Sequence, residues 1–301
     1  MVKEKTISIT GASGFVGKNL TVYLQDLFNI NSLQVRYKDE QEISIHCNAL
    51  IHLAGKAHDL KKVQHPEAYY EANFELTKQL FDGFLKSNAS TFIFMSTVKA
   101  VADKVDGVLT EETIPDPKTH YGIAKQQAER YILSQTLPDN KRLYILRPCM
   151  IHGPNNKGNL NLLYQLVCKG LPWPLGGFQN QRSFLSVENL CFVIKELLEN
   201  ATISSGVYQV ADDKPLSTNE LIQFLGLSLN KKSKIWNIPI YLIKGIAKLG
   251  DFLQLPLNSE RLQKLTENYV ISNQKIVAAI GKPLPIKTEE GLLKTFISFR
   301  K

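Results

Sequence analysis

The sequence predicts an α/β protein: a doubly wound parallel sheet with a smaller, mainly helical C-terminal lobe. Three observations carry this expectation. A short apolar strand at Thr6 to Thr10 runs through a glycine turn into a helical pattern. Apolar runs then alternate with helical stretches as far as Leu146, the rhythm of a parallel sheet covered on both faces. After Pro148 that rhythm gives way to loops rich in glycine and proline, and then to chain that is mostly helical.

The elements follow in order. Thr6-Ile7-Ser8-Ile9-Thr10 reads as the first strand, Gly11-Ala12-Ser13-Gly14-Phe15-Val16-Gly17 as the turn, and Leu20, Leu24 and Leu27 as the buried stripe of the first helix. Apolar runs at Leu33 to Arg36, Ala49 to Leu53, Thr91 to Met95 and Leu143 to Leu146 predict further strands, with helices at Glu67 to Lys86 and Gly122 to Leu133. The loops His152-Gly153-Pro154 and Leu171 to Gly177 have the composition of a ligand-binding lobe. From Leu216 the pattern is helical, with a turn at Gly281 to Pro285 and a last helix from Glu289. The expected division is a Rossmann-type domain over residues 1–153, with a returning segment at about 182–212, and a lobe formed by 154–181 and 213–301. That lobe is expected over the C-terminal strand edges, where open parallel sheets bind ligands.

Composition narrows the functional classes. A chain of 301 residues, 44% hydrophobic and 21% charged, buries a real core and is not disordered. The formal charge of +8 is spread as single lysines and arginines, and the longest basic cluster is Lys231, Lys232 and Lys234, which excludes a nucleic-acid stripe. Cys47, Cys149, Cys168 and Cys191 are far apart and form no CxxC pair, so neither a disulfide framework nor a metal site is expected, and a reduced, cytoplasmic setting is. The first apolar run is too short for a signal peptide. The stretch Trp236 to Leu257 is apolar but broken by Pro239, Lys244, Lys248 and Asp251, so it does not span a bilayer; packing within the second lobe is its expected role, and an amphipathic helix on a membrane surface the alternative.

Three signals carry chemistry. Glycines 11, 14 and 17 are spaced GxxGxxG between a strand and a helix, where glycine closes the turn and helix N-terminal amides face a pyrophosphate. Tyr121 and Lys125 stand four apart at the start of a helix, on one face. A phenol titrates near pH ~10 when unperturbed, so it needs a nearby cation to exchange protons around neutrality, and Lys125 supplies one. Ser96 and Thr97 follow the strand Thr91 to Met95 and put hydroxyls at the sheet edge.

This order of glycine turn, hydroxyl, Tyr and Lys resembles the extended short-chain dehydrogenase/reductase family, the NAD-dependent epimerases and dehydratases, over nearly the whole chain. Ile51-His52-Leu53-Ala54-Gly55 looks like the family's turn beside the cofactor, Asn73 like its bracing asparagine, and Arg147-Pro148 like the strand end beneath the nicotinamide. Gly158-Asn159-Leu160 and Arg182 to Val187 look like the segments that hold the diphosphate and nucleoside in nucleotide-sugar epimerases. Ser96-Thr97-Val98-Lys99, His152 to Asn159, the Leu171 to Gly176 loop and Leu216 to Leu221 resemble UDP-N-acetylquinovosamine-type 4-ketoreductases and UDP-hexose 4-epimerases of bacterial capsule and O-antigen synthesis.

The resemblance implies roles. Tyr121 is the acid/base at the sugar 4-oxygen, Lys125 lowers its pKa and binds the nicotinamide ribose, and Thr97 orients the same oxygen. The cofactor, NAD(H) or NADP(H), falls to Gly11, Ser13, Gly14, Phe15, Val16, Gly17, Arg36, Leu53, Ala54, Gly55, Asn73, Tyr121, Lys125 and Pro148. A UDP-sugar falls to Thr97, Lys99, Asn159, Leu160, Arg182 and Arg261. Lys99 either touches substrate or is a solvated loop lysine; Arg182 is a bidentate diphosphate partner or half of a surface ion pair. The leading expectation is a 4-ketoreductase of a nucleoside-diphosphate sugar, the alternatives a 4-epimerase or a non-catalytic nucleotide-binding relative, and the assembly implied is a homodimer. The sequence departs from the family after the second strand, where about a dozen residues replace the usual helix, strand and helix. The residues that choose between NAD and NADP are lost there, although Arg36 and Lys38 suit a 2'-phosphate or are simply exposed.

Overall fold

The computed structural model describes residues 5–56, 65–156, 159–253 and 258–300, with residue 159 described by its backbone alone. In chain order the N-terminal half runs β1 (Thr6–Thr10), α1 (Phe15–Leu24), β2 (Asn29–Leu33), β3 (Ala49–His52), and α2 (Glu67–Tyr70), which a π-helical turn at Glu71–Glu75 joins to α3 (Leu76–Lys86). Next come β4 (Thr91–Met95), a 3-10 turn at Val98–Ala100, β5 (Val108–Leu109), α4 (His120–Ser134), β6 (Arg142–Pro148) and β7 (Met150–His152). The rest is α5 (Asn159–Cys168), β8 (Phe184–Ser186), α6 (Val187–Glu199), β9 (Gly206–Val210), α7 (Thr218–Ser228), α8 (Ile240–Leu253), α9 (Ser259–Thr266), β10 (Val270–Ile271), α10 (Gln274–Ile280) and α11 (Thr288–Ser298).

Among the described residues six strands form one parallel sheet in the order β2-β1-β3-β4-β6-β9. Successive residues of a strand point to opposite faces, and both faces are covered, which explains why residues 49–51 of β3, 92–95 of β4 and 143–146 of β6 are apolar without a break. Leu50, Phe92, Phe94 and Ile145 face α3 and α4 in one core, where Phe81 and Phe84 join them. Ile51, Ile93, Tyr144 and Leu146 face the other core, with Leu20 of α1 and Leu190, Ile194 and Leu197 of α6. A third cluster gathers Leu160, Trp173, Phe184, Leu216, Leu225 and Phe296 beyond the sheet.

The second strand lies at Asn29–Leu33, not at Leu33 to Arg36 as expected. Pairing with β1 decides it, Thr6 to Asn29 through Thr10 to Leu33. This edge strand, Asn-Ile-Asn-Ser-Leu, is largely exposed and has no apolar run to announce it. Of the run that suggested a strand, Leu33 ends β2, while Val35 and the following Tyr37 lie beyond it and lean on the Phe81 core. Residues 34–48 then run to β3 without a helix or strand, as the short count of residues implied. Ile43 and Ile45 of this segment are buried against the same core, and Gly83 of α3 admits it, since a Cβ there would stand 2.1 Å from the Ile43 carbonyl oxygen.

The helix expected to pack within the second lobe does so, through a narrow stripe that joins the third cluster. α8 buries only Ile243, Ala247 and Gly250, a stripe at i, i+4 and i+7, while most of its large apolar side chains stay in solvent.

Candidate active site

The glycine turn is built by contacts that only glycine allows. Gly11 has φ +67°, the left-handed region, and the Gly14 N–H donates to its carbonyl at 3.0 Å. A Cβ on Gly17 would stand 2.3 Å from that same oxygen, and one on Gly11 would stand 2.8 Å from the Ala54 nitrogen. The turn is therefore packed directly on the segment after β3, where the Ala54 N–H donates to the Thr10 hydroxyl at 3.1 Å. Gly14 caps α1 without a side-chain hydrogen bond, and no acidic residue occupies the first turn. The N-terminal amides beside exposed Ser13 are thus left for an anion, which fits a pyrophosphate. Gly17→Ala is expected to cost about 1–3 kcal/mol of stability, because the clash is with backbone that cannot rotate away; a thermal melt measures it.

Asn73 holds the far side of this floor. It is fully buried in the π-helical turn, its Oδ1 accepts from the Lys56 N–H at 3.1 Å and its Nδ2 donates to the Lys56 carbonyl at 3.0 Å. A π turn widens the helix by one residue and is frequent at functional sites; here it delivers one amide side chain to two backbone groups. His52, expected beside the turn but with no role of its own, braces the site's frame. Its ring bridges the Thr10 and Thr77 hydroxyls at 2.7 and 2.9 Å, and burial together with the nearby Lys125 holds its pKa well below the usual value, so it is neutral.

Thr97, Tyr121 and Lys125 converge at the C-terminal end of β4. Thr97 follows the strand and its hydroxyl hydrogen-bonds Tyr121. Thr119 caps α4 by accepting from the Gly122 N–H at 3.2 Å, which starts the helix one residue before Tyr121. Lys125, one turn on, is buried; its Nζ donates to the Met95 carbonyl at 2.8 Å and lies 4.5 Å from the centre of the Phe94 ring. Burial raises the phenol pKa to about 12, with the Thr97 hydrogen bond opposing. Burial lowers the lysine to about 7, with Glu129 pulling it back up.

That carboxylate belongs to a buried group absent from the sequence reading. Glu129 accepts from Ser96 Oγ and from Arg147, whose Nε stands 3.0 Å from Oε1 and whose Nη2 stands 2.5 Å from Oε2. Ser96 is thereby turned beneath the sheet edge, and of the two hydroxyls Thr97 is the one presented to Tyr121. The signal was available: Tyr121, Lys125 and Glu129 recur every four residues along one helix face.

A second cluster lies beyond Thr97. Lys99 Nζ donates to the Asp103 carbonyl at 2.9 Å and stands 4.4 Å above the Tyr269 ring, while Tyr269 donates its hydroxyl proton to the Ala102 carbonyl at 2.5 Å. Arg182 donates to the Lys264 carbonyl at 2.5 Å. Burial lowers the pKa of Lys99 and of Arg182, and the positive charge of Arg182 lowers Lys99 further, so two half-buried cations share this space. Glu267 acts on both from nearby, and with Tyr269 it completes a set that the sequence did not single out. Of the other expected residues, Pro148 ends β6 opposite Val210. Leu160 buries its side chain in the third cluster, so only its backbone is free to meet a ligand. Arg261 lies exposed on α9, and Arg36 sits in the segment after β2. The side chain of Asn159 and all of Gly158 lie outside the described residues.

Known proteins match this chain over most of its length. The model of the NAD dependent epimerase/dehydratase family matches residues 7–211. A UDP-glucose 4-epimerase of Vibrio cholerae is 27% identical over 98% of this chain and 95% of its own length. The N-acetyl-alpha-D-glucosaminyl-diphospho-ditrans,octacis-undecaprenol 4-epimerase of Escherichia coli O157:H7 is 28% identical over 77% of this chain and 75% of its own. Among solved structures, the UDP-N-acetylglucosamine 4-epimerase of Bacillus cereus superposes with a TM-score of 0.75 at 16% identity, covering 99% of this chain and 100% of that one.

Proposed function

Since the chain belongs to the NAD dependent epimerase/dehydratase family, we propose that it reduces the 4-keto group of a sugar carried on a nucleoside diphosphate. The observation that carries this reading is the convergence of Thr97, Tyr121 and buried Lys125 at one strand end. Tyr121 donates its proton to the sugar 4-oxygen, Thr97 orients that oxygen, and Lys125 stabilises the phenolate left behind. The turn Gly11 to Gly17 and the segment Leu53 to Gly55 would hold NADH or NADPH, which would supply the hydride. Arg182 and Lys99 hold the diphosphate.

The direction of the reaction is supported by the cofactor half. A reductase must exchange its cofactor after each turnover, whereas an epimerase keeps it. Residues 34–48 carry no helix or strand, a simpler adenosine side that fits a cofactor exchanged at each turnover. The reading as a UDP-hexose 4-epimerase is favoured by the near full-length match to the Vibrio cholerae enzyme. One assay separates the two: incubation with UDP-N-acetylglucosamine, and in parallel with its 4-keto-6-deoxy derivative plus NADPH or NADH. Consumption of reduced cofactor with the keto sugar supports the reductase; interconversion of the first sugar without net cofactor change overturns it.

The cation pair gives a separate expectation. Lys99→Ala and Arg182→Ala each raise KM for the nucleotide sugar by about tenfold or more, because a charge-assisted hydrogen bond to phosphate is lost, and leave kcat within a few-fold. Steady-state kinetics of the two variants check it.

A further inference from the structure

We infer that α8 docks the protein on an anionic membrane surface. The helix presents Tyr241, Leu242, Ile246, Leu249, Phe252 and Leu253 to solvent, with Phe252 84% exposed and Tyr241 73%. Leu242, Ile246, Leu249 and Leu253 recur at i, i+4, i+7 and i+11, a second apolar stripe beside the buried one. At 3.6 residues per turn, Lys244 and Lys248 fall along the opposite edge of the exposed face. Trp236, 55% exposed, stands just before the helix.

Charge selects the occupant. From Lys231 to Leu253 the chain carries Lys231, Lys232, Lys234, Lys244 and Lys248 against the lone Asp251. Lys244 and Lys248 also line a groove with Phe178, Leu262, Ser259, Gln263 and Thr266, in which Ser259 already donates to the Asp251 carboxylate. Apolar residues on one face, aromatic residues among them and lysines along the edge are the pattern of a helix lying in the headgroup region. The core of a protein interface is depleted of charge, whereas the exposed face of α8 carries Lys244 and Lys248 along its edge. The 14 residues of α8 span about 21 Å, less than the hydrocarbon thickness of about 30 Å, so the helix lies along the surface and does not cross it.

The test is flotation of the purified full-length chain with vesicles of phosphatidylethanolamine and phosphatidylglycerol, and with vesicles of phosphatidylcholine alone. Binding is expected to the anionic vesicles only, and to weaken with salt. Leu249→Ser and Phe252→Ser each weaken it about tenfold, and Lys244→Glu and Lys248→Glu about fivefold each. All four sites are on the surface, so melting temperature and turnover of a soluble nucleotide sugar stay at wild-type values and confirm folding. Absence from the anionic vesicle fraction overturns the proposal, as does binding that all four variants retain. A concentration-dependent dimer in solution that Phe252→Ser dissolves, without vesicle binding, overturns it in favour of a second copy.

Discussion

Phenylalanine at position 121 is expected to lower kcat by about 10²- to 10⁴-fold and to leave KM for the nucleotide sugar within a few-fold. The substitution removes one hydroxyl and keeps the ring, so the helix, its Thr119 cap and the Met95 contact of Lys125 remain. What is lost is the group that delivers a proton to the developing alkoxide. With the phenol pKa raised to about 12 by burial, Tyr121 is protonated throughout the neutral range in the absence of ligand, the form that a carbonyl reduction consumes. Steady-state kinetics with the accepted sugar decide the matter: an unchanged kcat removes Tyr121 from the chemistry. Thr97→Val tests the partner, since it deletes the hydrogen bond to Tyr121 at nearly constant volume.

Lys125→Met is expected to change both activity and the dependence of stability on pH. The folded protein holds this lysine at about 7, below its ordinary value of 10.5. Between those two values the unfolded chain carries the proton and the folded chain does not, so stability rises with pH, by at most about 1.4 kcal/mol per pH unit. Below about pH 7 both states are protonated, and the cost of burying the charge is present in full. Methionine fills similar space and has no charge, so the variant is expected to be more stable than the wild type at pH 6 and to lack the rise from pH 7 toward 10. Glu129 keeps Arg147 as its partner, so no carboxylate is orphaned by the change. Its kcat falls by about tenfold or more, because the amine behind the phenol, a cation below about pH 7, is lost. Urea unfolding across this pH range, read beside kcat, tests both parts; parallel stability curves for the two proteins overturn the assignment of the slope to Lys125.

Much of the site was legible in the chain. Tyr121 and Lys125 share a helix face because of their spacing, and the glycines at 11, 14 and 17 occupy the strand-to-helix turn that their pattern implied. Asn73 was found by resemblance, but its reason is structural: the π turn aims its amide at both backbone groups of Lys56. The Glu129, Arg147 and Ser96 group escaped notice because its members stand on α4, β6 and the end of β4, and only the sheet order brings those three together. Lys99 and Arg182 were both assigned to the sugar nucleotide by resemblance, and the fold sets them near enough for the charge of Arg182 to act on Lys99.

Taken alone, the sequence determined the alternation of strands and helices, the glycine turn, the Tyr and Lys face and the missing elements after β2. Each of these is set within a window of a few residues by side-chain periodicity and backbone preference. Only the tertiary structure decided where β2 lies, because a polar edge strand is defined by its hydrogen-bonded neighbour. It alone decided that Ser96 serves Glu129 while Thr97 serves Tyr121, since both hydroxyls leave the same strand and burial by α4 distinguishes them. It decided, too, that α8 gives only Ile243, Ala247 and Gly250 to the protein core. An apolar helix reads the same in sequence whether its partner is the rest of the chain or something outside it, and the difference is which face the fold leaves uncovered.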